Sequence, residues 1–395
     1  MTSDEIRVAS AKFRDDLFKD TLPFWLDRSI DGEHGGYFTA FDRDGKQLQT
    51  DKSVWFQGRF AWMLATIAET VEPRDYWLER AKHGIDFLQR HCIDRDGRYF
   101  FLVTKDGQPL RKRRYVFSEC FAAMAYSAYG KAALSDEYCR LAVDLFQNIR
   151  QYLGPDSILE PKVRPDVRSM KSLANPMILI GVAQEIRKAT GFVECNEVID
   201  QCIDEIHSHF VKDDLGCVLE NVGSQGELID TFDGRLINPG HSIELSWFLM
   251  EEARQRDLPK VASLGRQILD WSLELGWDNQ YGGLYHYRDC HGLPSSEYWH
   301  DMKFWWPHAE AIIATLLAWR LTGDDQYWNW HIKISNWAYE HFADPEFGEW
   351  FGYLHRDGTL SSTIKGNQWK GPFHLPRMQH YCWQLLEEVI HAQPV

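Results

Sequence analysis

The stretch Arg235-Leu-Ile-Asn-Pro-Gly-His-Ser-Ile-Glu-Leu-Ser-Trp-Phe248 predicts the start of a buried helix. Asn238-Pro239-Gly240 has the composition of a turn, proline suits the first position of a helix, and the residues after Ser242 are mostly apolar. His241 is therefore expected in the first helical turn, where the helix dipole disfavours an imidazolium. Glu244 would lie one turn further along the same face. The pattern predicts either a neutral catalytic histidine paired with this carboxylate or one satisfied histidine in a core helix.

A segment that resembles a short strand followed by a turn recurs along the whole chain. The third residues of successive copies are separated by 62, 59, 60, 66 and 66 positions. Four copies lead into a polar turn that ends in glycine, which is typical of a β-hairpin, and the third copy is degenerate. The six copies are Gly35-Gly36-Tyr37-Phe38, Gly97-Arg98-Tyr99-Phe100, Asp156-Ser157-Ile158-Leu159, Gly216-Cys217-Val218-Leu219, Gly282-Gly283-Leu284-Tyr285 and Gly348-Glu349-Trp350-Phe351.

Two kinds of helical pattern lie between consecutive copies. One is amphipathic and charged, as in residues 76–90, and the other is almost continuously apolar, as in residues 306–317. Amphipathic helices belong on the outside of a protein and apolar helices inside it, so six such pairs predict a closed ring. We therefore expect an all-α fold, an (α/α)6 barrel with short β-hairpins at one end, as a single catalytic domain over residues 1–395. An open solenoid is the competing arrangement.

The inner helices are predicted to begin at the same end of the barrel. They start 17 to 22 residues after the strand-like positions, near Trp55, Phe117, Asn175, Asn238, Trp305 and Pro372. Polar residues in their first turns should therefore converge on one cavity. The converging residues are Arg59, Glu119, Asn175, His241, Glu244, His308, Glu310, His374 and Arg377. Three first-turn histidines from different repeats exceed what filling a core requires, which favours a catalytic site.

The composition argues against several classes of partner. A formal net charge of -15 disfavours nucleic acid and anionic membranes. No apolar run reaches the length of a membrane span, and the polar start of the chain predicts no signal peptide. Eight scattered cysteines without a C-x-x-C pair predict reduced thiols and a cytoplasmic location.

The 17 tryptophans favour a sugar ligand, because exposed aromatic rings stack on sugars. The candidate substrate-binding residues are Asn175, Glu244, Trp306, His308, Trp369 and Arg377.

Several chemistries are compatible with the converging residues. A metal site is one, since His241 and Glu244 have helical ligand spacing, but that spacing is not repeated and nearby arginines oppose a cation, so no metal is expected. A glycoside hydrolase needs two carboxyl groups around the scissile bond, which Glu119, Glu244 and Glu310 could supply, although the site is richer in histidine than that mechanism requires. Motifs for a serine nucleophile, a phosphate-binding loop or a dinucleotide fold are absent from the sequence.

The remaining chemistry is proton transfer at a carbon beside a carbonyl. In an open-chain sugar, the C2 proton is acidic once C1 is an aldehyde. One base removes this proton and an acid on the opposite face returns one, which inverts C2, and two histidines from different repeats would supply both groups. Arg59 or Arg377 would hold the developing enolate oxygen, and no cofactor is required for the chemistry.

Five segments resemble the N-acylglucosamine 2-epimerase family, and the resemblance covers nearly the whole chain. They are Asp51-Lys-Ser-Val-Trp-Phe-Gln-Gly-Arg59, Tyr115-Val-Phe-Ser-Glu-Cys-Phe121, Gly234-Arg-Leu-Ile-Asn-Pro-Gly-His241, Lys303-Phe-Trp-Trp-Pro-His308 and Trp369-Lys-Gly-Pro-Phe-His-Leu-Pro-Arg377. The resemblance implies an (α/α)6 barrel, often a homodimer, that interconverts N-acetylglucosamine and N-acetylmannosamine. It implies that His241 and His374 are the acid–base residues and that Arg59 and Glu310 are essential. It also implies that ATP acts as an allosteric activator and is not consumed.

Related enzymes leave the substrate open. Those that epimerise cellobiose, or isomerise mannose and fructose, share the barrel and both histidines and typically carry another histidine on the third inner helix. Here that helix reads Asn175-Pro-Met-Ile-Leu-Ile180, as in the N-acyl enzymes, which favours an N-acyl substrate. Pro372 departs from the residue usual before Phe373-His374 and bears only on the shape of the loop. The alternatives are an aldose–ketose isomerase or 2-epimerase of free mannose, glucose or fructose, a glycoside hydrolase, and a binding protein without turnover.

Overall fold

The structure is a computed structural model that describes residues 3–113, 115–154, 157 and 159–392. The described residues form thirteen α-helices. They are α1 (Ser3–Asp16), α2 (Leu22–Ser29), α3 (Val54–Ala68), α4 (Arg74–His91), α5 (Phe117–Ala132), α6 (Asp136–Leu153), α7 (Ala174–Thr190), α8 (Glu194–Glu205), α9 (Pro239–Arg256), α10 (Pro259–Gly276), α11 (Trp305–Thr322), α12 (Asp325–Phe342) and α13 (His374–Ala392). Two π-helical turns, Leu17–Thr21 and Ile206–Phe210, follow α1 and α8.

Short antiparallel strands connect many of the helices. They are β1 (Lys52–Ser53), β2 (Phe100–Val103), β3 (Pro109–Lys112), β4 (Met170–Ser172), β5 (Val211–Lys212), β6 (Cys217–Val218), β7 (Asn221–Gly223), β8 (Leu236–Ile237), β9 (Arg288–Asp289), β10 (Lys303–Phe304) and β11 (Tyr353–Leu354). Strands β1, β2 and β3 form one sheet, and β4 pairs with β7, β5 with β6, β8 with β9, and β10 with β11.

The helices form a closed ring. Helices α3, α5, α7, α9, α11 and α13 contact one another in that order, and α13 contacts α3. The other long helices lie outside this ring: α4, α6, α8, α10 and α12 each pack on the inner helix that precedes them, and α1 packs on α13. This arrangement is the predicted (α/α)6 barrel, and the closing contact between the last and first inner helices excludes an open solenoid.

Burial separates the two layers as the sequence pattern predicted. Every residue of α3 except Arg59 is buried, whereas α6 buries a single stripe at helical spacing. The buried stripe consists of Tyr138, Ala142, Leu145, Phe146 and Ile149. Arg59 is therefore the one residue of this helix that is not buried, and its side chain faces the space inside the ring of inner helices.

The inner helices begin where the repeat predicted. Their first residues are Val54, Phe117, Ala174, Pro239, Trp305 and His374, each within two positions of the predicted start. The predicted turns are also present, since Gly45, Gly107, Gly226 and Gly358 have positive φ angles that favour glycine. In the third copy of the repeat, Asp156 and Ile158 lie outside the described residues. All six inner helices therefore begin at the same end of the barrel.

A side chain in the first turn of three inner helices holds the preceding hairpin. In each case an acceptor atom takes a hydrogen bond from the backbone N–H of the third residue of the strand-like segment, a donor that burial would otherwise leave unpaired. The pairs are Gln57 Oε1 with Tyr37 at 2.7 Å, Glu119 Oε1 with Tyr99 at 3.0 Å, and His308 Nε2 with Leu284 at 2.9 Å. Glu119 and His308, predicted to converge on the cavity, are instead structural residues.

His308 is the clearest correction to the predicted substrate-binding residues. Its ring is fully buried and stacks on Trp337 with 4.9 Å between the ring centroids. Its Nδ1 lies 2.7 Å from the carbonyl oxygen of Phe304, so both ring nitrogens are used within the fold. Burial lowers the pKa of His308 to about 3, and the ring is neutral.

Buried lysine–aspartate pairs join hairpins to the strands that lead into inner helices. Lys52 Nζ lies 2.7 Å from Asp31, and Lys303 Nζ lies 3.1 Å from Asp278. Both lysines are fully buried, so removing one partner would leave an uncompensated charge and cost about 3–5 kcal/mol. These ion pairs fix the position of each hairpin along the axis of the inner helix that follows it.

Two other expectations concern the whole chain. None of the helices in the described ranges is long and apolar enough to cross a membrane. All eight cysteines lie in the described part of the chain and are free thiols, as their scattered positions predicted.

Candidate active site

A cavity of about 1340 Å³ runs along the axis of the barrel. Its lining begins at the first turns of the inner helices and continues to their last turns, where Lys188 and Glu388 contribute. Seven predicted site residues line it: Arg59, His241, Glu244, Trp306, Trp369, His374 and Arg377. Glu310 lies directly behind His374 and is fully buried.

Asn175, predicted to bind substrate, is not among the residues that line the cavity. On α7 the cavity is lined in the first two turns by Ala174, Met177, Ile178 and Gly181. These positions have the spacing of one helical face, and Asn175 lies about 100° further round the helix than Ala174. The prediction was right about the position of Asn175 along the barrel axis, but Asn175 lies on a face of α7 that does not line the cavity.

His241 is held between the start of α9 and an acidic residue from a loop. The side chain of Asn238 caps the helix by accepting a hydrogen bond from the backbone N–H of His241 at 3.2 Å. His241 Nδ1 lies 3.0 Å from both carboxylate oxygens of Glu220. Because a carboxylate can only accept, we assign the proton to Nδ1, which leaves Nε2 for the cavity.

The electrostatics of His241 differ from the prediction. Burial lowers the pKa of His241, but the charge and hydrogen bond of Glu220 outweigh burial, so the pKa is raised. The prediction that the helix dipole keeps this imidazole neutral is therefore wrong, and its carboxylate partner is Glu220 rather than Glu244. An imidazolium at this position can donate a proton from Nε2.

His374 also has a carboxylate beside its Nδ1, but its pKa is shifted in the opposite direction. Its Nδ1 lies 2.7 Å from Oε1 of Glu310, which again leaves Nε2 free. Burial, reinforced by the neighbouring charge of Arg377, holds the pKa of His374 well below its usual range. The environments of His241 and His374 thus shift their pKa values in opposite directions, which is the pattern expected of an acid and a base that act together.

Arg377 bridges two carboxylates beside His374. Its Nη2 donates a hydrogen bond to Oε1 of Glu244 at 2.5 Å and forms an ion pair with Oε1 of Glu310 at 2.7 Å. Acceptor atoms of Glu244, Glu310 and His374 lie within 4.8 Å of one another, a spacing that a metal ion can span. The Arg377 guanidinium bonds to both carboxylates and already supplies the positive charge between them, so this donor set does not fit a metal ion.

Arg59 has no such carboxylate partner. Its guanidinium lies 4.0 Å from the ring centroid of Phe121 and 4.5 Å from that of Phe373, and its Nε has no hydrogen-bond partner among the described residues. Burial lowers the pKa of Arg59 to about 9, although the charge of Glu244 opposes that shift. A partly buried cation held by aromatic rings retains the capacity to bind a negative oxygen in the cavity.

Both tryptophans that were predicted to bind substrate line the cavity, together with five others. The ring centroid of Trp306 lies 5.1 Å from that of His241 and 5.7 Å from that of His374, so this indole lies against both imidazoles. Trp369 is 40% exposed and packs edge-on against Trp55 at 5.6 Å, at the rim of the cavity. Both rings therefore offer aromatic surface at the end of the cavity where the inner helices begin.

Glu220 is the important site residue that the sequence reasoning missed. It directly follows the strand-like segment 216–219, at the end of the barrel where the inner helices begin. Its backbone N–H donates to the carbonyl oxygen of Leu236 at 2.9 Å, which brings this loop beside the start of α9. The available signal was its position directly after a repeat segment, since its pairing with His241 depends on how the loop between them folds.

Comparison with known proteins identifies the family. The model of the family described as N-acylglucosamine 2-epimerase (GlcNAc 2-epimerase) matches residues 36–374, a range that contains His241 and His374. The chain belongs to the N-acylglucosamine 2-epimerase family. The N-acylglucosamine 2-epimerase of Bos taurus is 36% identical over 381 residues, which cover 93% of this chain and 89% of the bovine protein. The protein is therefore an isomerase, a sugar 2-epimerase.

Solved structures share the barrel of this epimerase. The cellobiose 2-epimerase from Bacillus thermoamylovorans B4167 has a TM-score of 0.84 at 19% identity and covers 97% of this chain and 100% of its own. A D-mannose isomerase has a TM-score of 0.81 at 18% identity and covers 96% of this chain and 98% of its own. At these identities the likeness shows the fold and does not distinguish between substrates of the epimerase.

Proposed function

We propose that this epimerase interconverts N-acetylglucosamine and N-acetylmannosamine by proton transfer at C2 between His374 and His241. The observation that carries the mechanism is the matched pair of cavity histidines, each with Nδ1 bonded to a carboxylate and Nε2 left free. The N-acyl substrate is supported by the bovine relative, whose 36% identity exceeds the 24% of the cellobiose 2-epimerase from Ruminococcus albus.

The proposed reaction begins with the open-chain aldehyde form of the sugar. Neutral His374 takes the C2 proton with Nε2, and the electrons of the C–H bond form a C1–C2 double bond while negative charge develops on the C1 oxygen. Arg59 stabilises this oxygen, because of the two arginines near His374 it is the one that has no bonded carboxylate among the described residues. Imidazolium His241 then gives a proton to the opposite face of C2 and the C1 carbonyl re-forms, which yields the inverted epimer.

The pair of histidines holds one exchangeable proton before and after the reaction, and two while the enolate exists. After one turnover His374 is protonated and His241 is neutral, which is the state that the reverse reaction needs. The raised pKa of His241 and the lowered pKa of His374 widen the pH range in which the pair holds one proton. The activity should therefore show a bell-shaped dependence on pH with a broad plateau.

The alternative of glycoside hydrolysis is disfavoured by the state of the cavity acids. That chemistry needs one carboxyl group that is protonated before it donates. Glu244 accepts a hydrogen bond from the Arg377 guanidinium and Glu310 forms an ion pair with it, so both carboxyl groups are held by an arginine rather than left free to face a leaving group. Aldose–ketose isomerisation remains the second candidate, because a free hexose would form the same enolate. It differs in that the C2 hydroxyl gives its proton to the C1 oxygen and C1 takes up the returned proton, which leaves the carbonyl at C2.

Several accompanying properties are also proposals. The reaction needs no metal or other cofactor, because Arg59 can stabilise the enolate oxygen and histidines move the proton. Activation by ATP and assembly into a homodimer, both suggested by the family resemblance, stay predictions. Epimerisation that is lost after dialysis against a chelator and restored by one divalent ion would contradict the metal-free mechanism.

The decisive experiment is incubation in heavy water with separate hexoses. N-acetylglucosamine and N-acetylmannosamine should interconvert with deuterium incorporated at C2, as read by NMR. Glucose, mannose and fructose, tested in parallel, should react more slowly. Conversion of mannose to fructose without reaction of the N-acetyl sugars would replace this proposal with the isomerase alternative, and release of reducing ends from an oligosaccharide would replace it with hydrolysis.

A further inference from the structure

One wall of the cavity is entirely apolar at the height of the catalytic groups. Helix α5 and the first two turns of α7 line the cavity, among the described residues, only with apolar side chains and one glycine. Helices α3, α9 and α13, by contrast, contribute Arg59, His241, Glu244, His374 and Arg377. The apolar wall therefore lies between the helix that carries Arg59 and the helix that carries His241.

The wall faces the reacting carbon rather than a distant part of the cavity. Phe121 and Ile178 lie four residues into their helices, and Arg59 and Glu244 lie five residues into theirs, so all four are about one helical turn deep. A sugar with its C1 oxygen at Arg59 and its C2 between the two histidines must present one edge to α5 and α7. That edge carries a substituent of C2 or of a neighbouring carbon.

We propose that this wall binds the acyl chain on the C2 nitrogen of the substrate. We call it the acyl wall and define it by Met124, Met177, Ile178, Gly181 and Phe248. The inference rests on the proposed function and deepens it. In an N-acetylhexosamine the methyl group is the apolar end of the C2 substituent, whereas a free hexose would place a hydroxyl against side chains that offer it no partner.

Gly181 sets the depth of the acyl wall. It lies in the interior of α7, where glycine is less favourable than alanine, so its presence needs a compensating reason. A Cβ atom added at Gly181 would lie 3.2 Å from Cε2 and 3.3 Å from Cζ of Phe248, closer than ordinary van der Waals contact. Glycine thus lets the Phe248 ring of α9 pack closely against α7, and Gly181→Ala would displace that ring, which also lines the cavity.

The test compares kcat/KM for N-acetyl-, N-propanoyl- and N-butanoylglucosamine in single variants. Gly181→Ala should lower kcat/KM increasingly with chain length, by about 10-fold or more for the longest chain. Met177→Ala should do the reverse and favour the longer chains relative to acetyl. Gly32→Ala is the matched control, because a Cβ atom there meets no atom within 4 Å and the site is exposed.

The outcomes separate this inference from the proposed function. If the unchanged protein does not epimerise N-acetylglucosamine, the proposed function fails, whatever the variants do. If it does, and chain-length preference is the same in Gly181→Ala, Met177→Ala and Gly32→Ala, the acyl wall is overturned. Should Gly181→Ala fail to fold, Met177→Ala decides alone, since an unchanged preference in that variant also contradicts the proposal.

Discussion

The Nδ1 atom of His241 lies 3.0 Å from both carboxylate oxygens of Glu220. This contact joins the first turn of an inner helix to a hairpin loop that precedes it in the chain. It orients the imidazole with Nε2 available to the cavity, and it raises the pKa of a partly buried ring against the effect of desolvation. Glu220 is therefore expected to act through His241 without touching the sugar.

Replacing Glu220 with glutamine should change the pH dependence of the enzyme. The Glu220 charge raises the pKa of His241, so Glu220→Gln should lower that pKa. Activity needs one proton on the histidine pair and is lost at high pH when His241 gives up its proton. The alkaline limb of the kcat/KM profile should therefore move to lower pH by about one to three units.

The matched control for this variant is Glu33→Gln. Glu33 is a carboxylate that is 67% exposed and pairs with Lys105 at the surface, away from the cavity lining. Its pH profile should coincide with that of the unchanged protein. If Glu220→Gln also leaves the alkaline limb in place, then other charges set the pKa of His241.

His241→Asn and His374→Asn should each abolish net epimerisation. Loss of a general acid–base group typically lowers the rate by about 10²- to 10⁴-fold. Each variant should still exchange the C2 proton of the one epimer whose proton faces the remaining histidine. Deuterium uptake at C2, measured for both epimers, should therefore give opposite patterns in the two variants. Near-normal epimerisation in either would remove that histidine from the mechanism.

Arg59→Met should raise thermal stability while lowering activity. The side chain is partly buried, and its buried Nε has no hydrogen-bond partner among the described residues, so an apolar side chain of similar length removes a desolvation penalty. Removing the group that stabilises the enolate oxygen should lower kcat/KM by about 10²- to 10³-fold. Thermal unfolding and steady-state kinetics on the same preparation test both effects. A lower Tm together with unchanged kinetics would indicate a purely structural role.

Arg377→Met should lower stability instead. This arginine bonds to both Glu244 and Glu310, and its removal leaves two buried carboxylates next to each other without a cation. Breaking such a buried network should reduce the free energy of unfolding by about 3–5 kcal/mol. Denaturant unfolding measures the loss, and Arg59→Met is the comparison. If Arg377→Met and Arg59→Met change the free energy of unfolding equally, then the contacts of Arg377 with Glu244 and Glu310 do not account for its contribution to stability.

His308→Phe should affect folding and not catalysis. The substitution keeps an aromatic ring against Trp337 but leaves the N–H of Leu284 without an acceptor, which costs about 1–3 kcal/mol. Activity per folded molecule should stay close to that of the unchanged protein. Gln57→Leu removes the equivalent acceptor for Tyr37 and should behave in the same way. A large loss of kcat in either variant at temperatures well below unfolding would contradict a structural role.

The barrel could be predicted because its signals are local and repeated. Strand-like segments and apolar helices recur at steady intervals, and each helix start is marked by the distance from its hairpin. The cavity positions of His241, His374 and Arg59 followed from that register. The side of each inner helix that faces the cavity was harder to predict, because a shift of one residue turns a side chain by about 100° around the helix axis. Asn175 and His308 illustrate this.

The electrostatics of the site could not be predicted in the same way. The helix dipole contributes about 0.3–1 kcal/mol at a helix end, whereas a hydrogen bond to a charged group contributes about 1.5–3 kcal/mol. The direction of the pKa shift of His241 therefore depends on the carboxylate of Glu220, which is positioned by the folding of a loop. No sequence spacing predicts that position. The same holds for Arg377, whose bonds to Glu244 and Glu310 join three different inner helices.

Gln57, Glu119 and His308 hold three hairpins with an amide, a carboxylate and an imidazole. What the fold requires at this position is one lone pair at the right distance from a backbone N–H, and three unrelated functional groups meet that requirement. Mutation can therefore exchange the residue without changing the shape of the repeat. The repeats therefore resemble one another in the spacing of their segments along the chain, even where the side chains at equivalent positions differ.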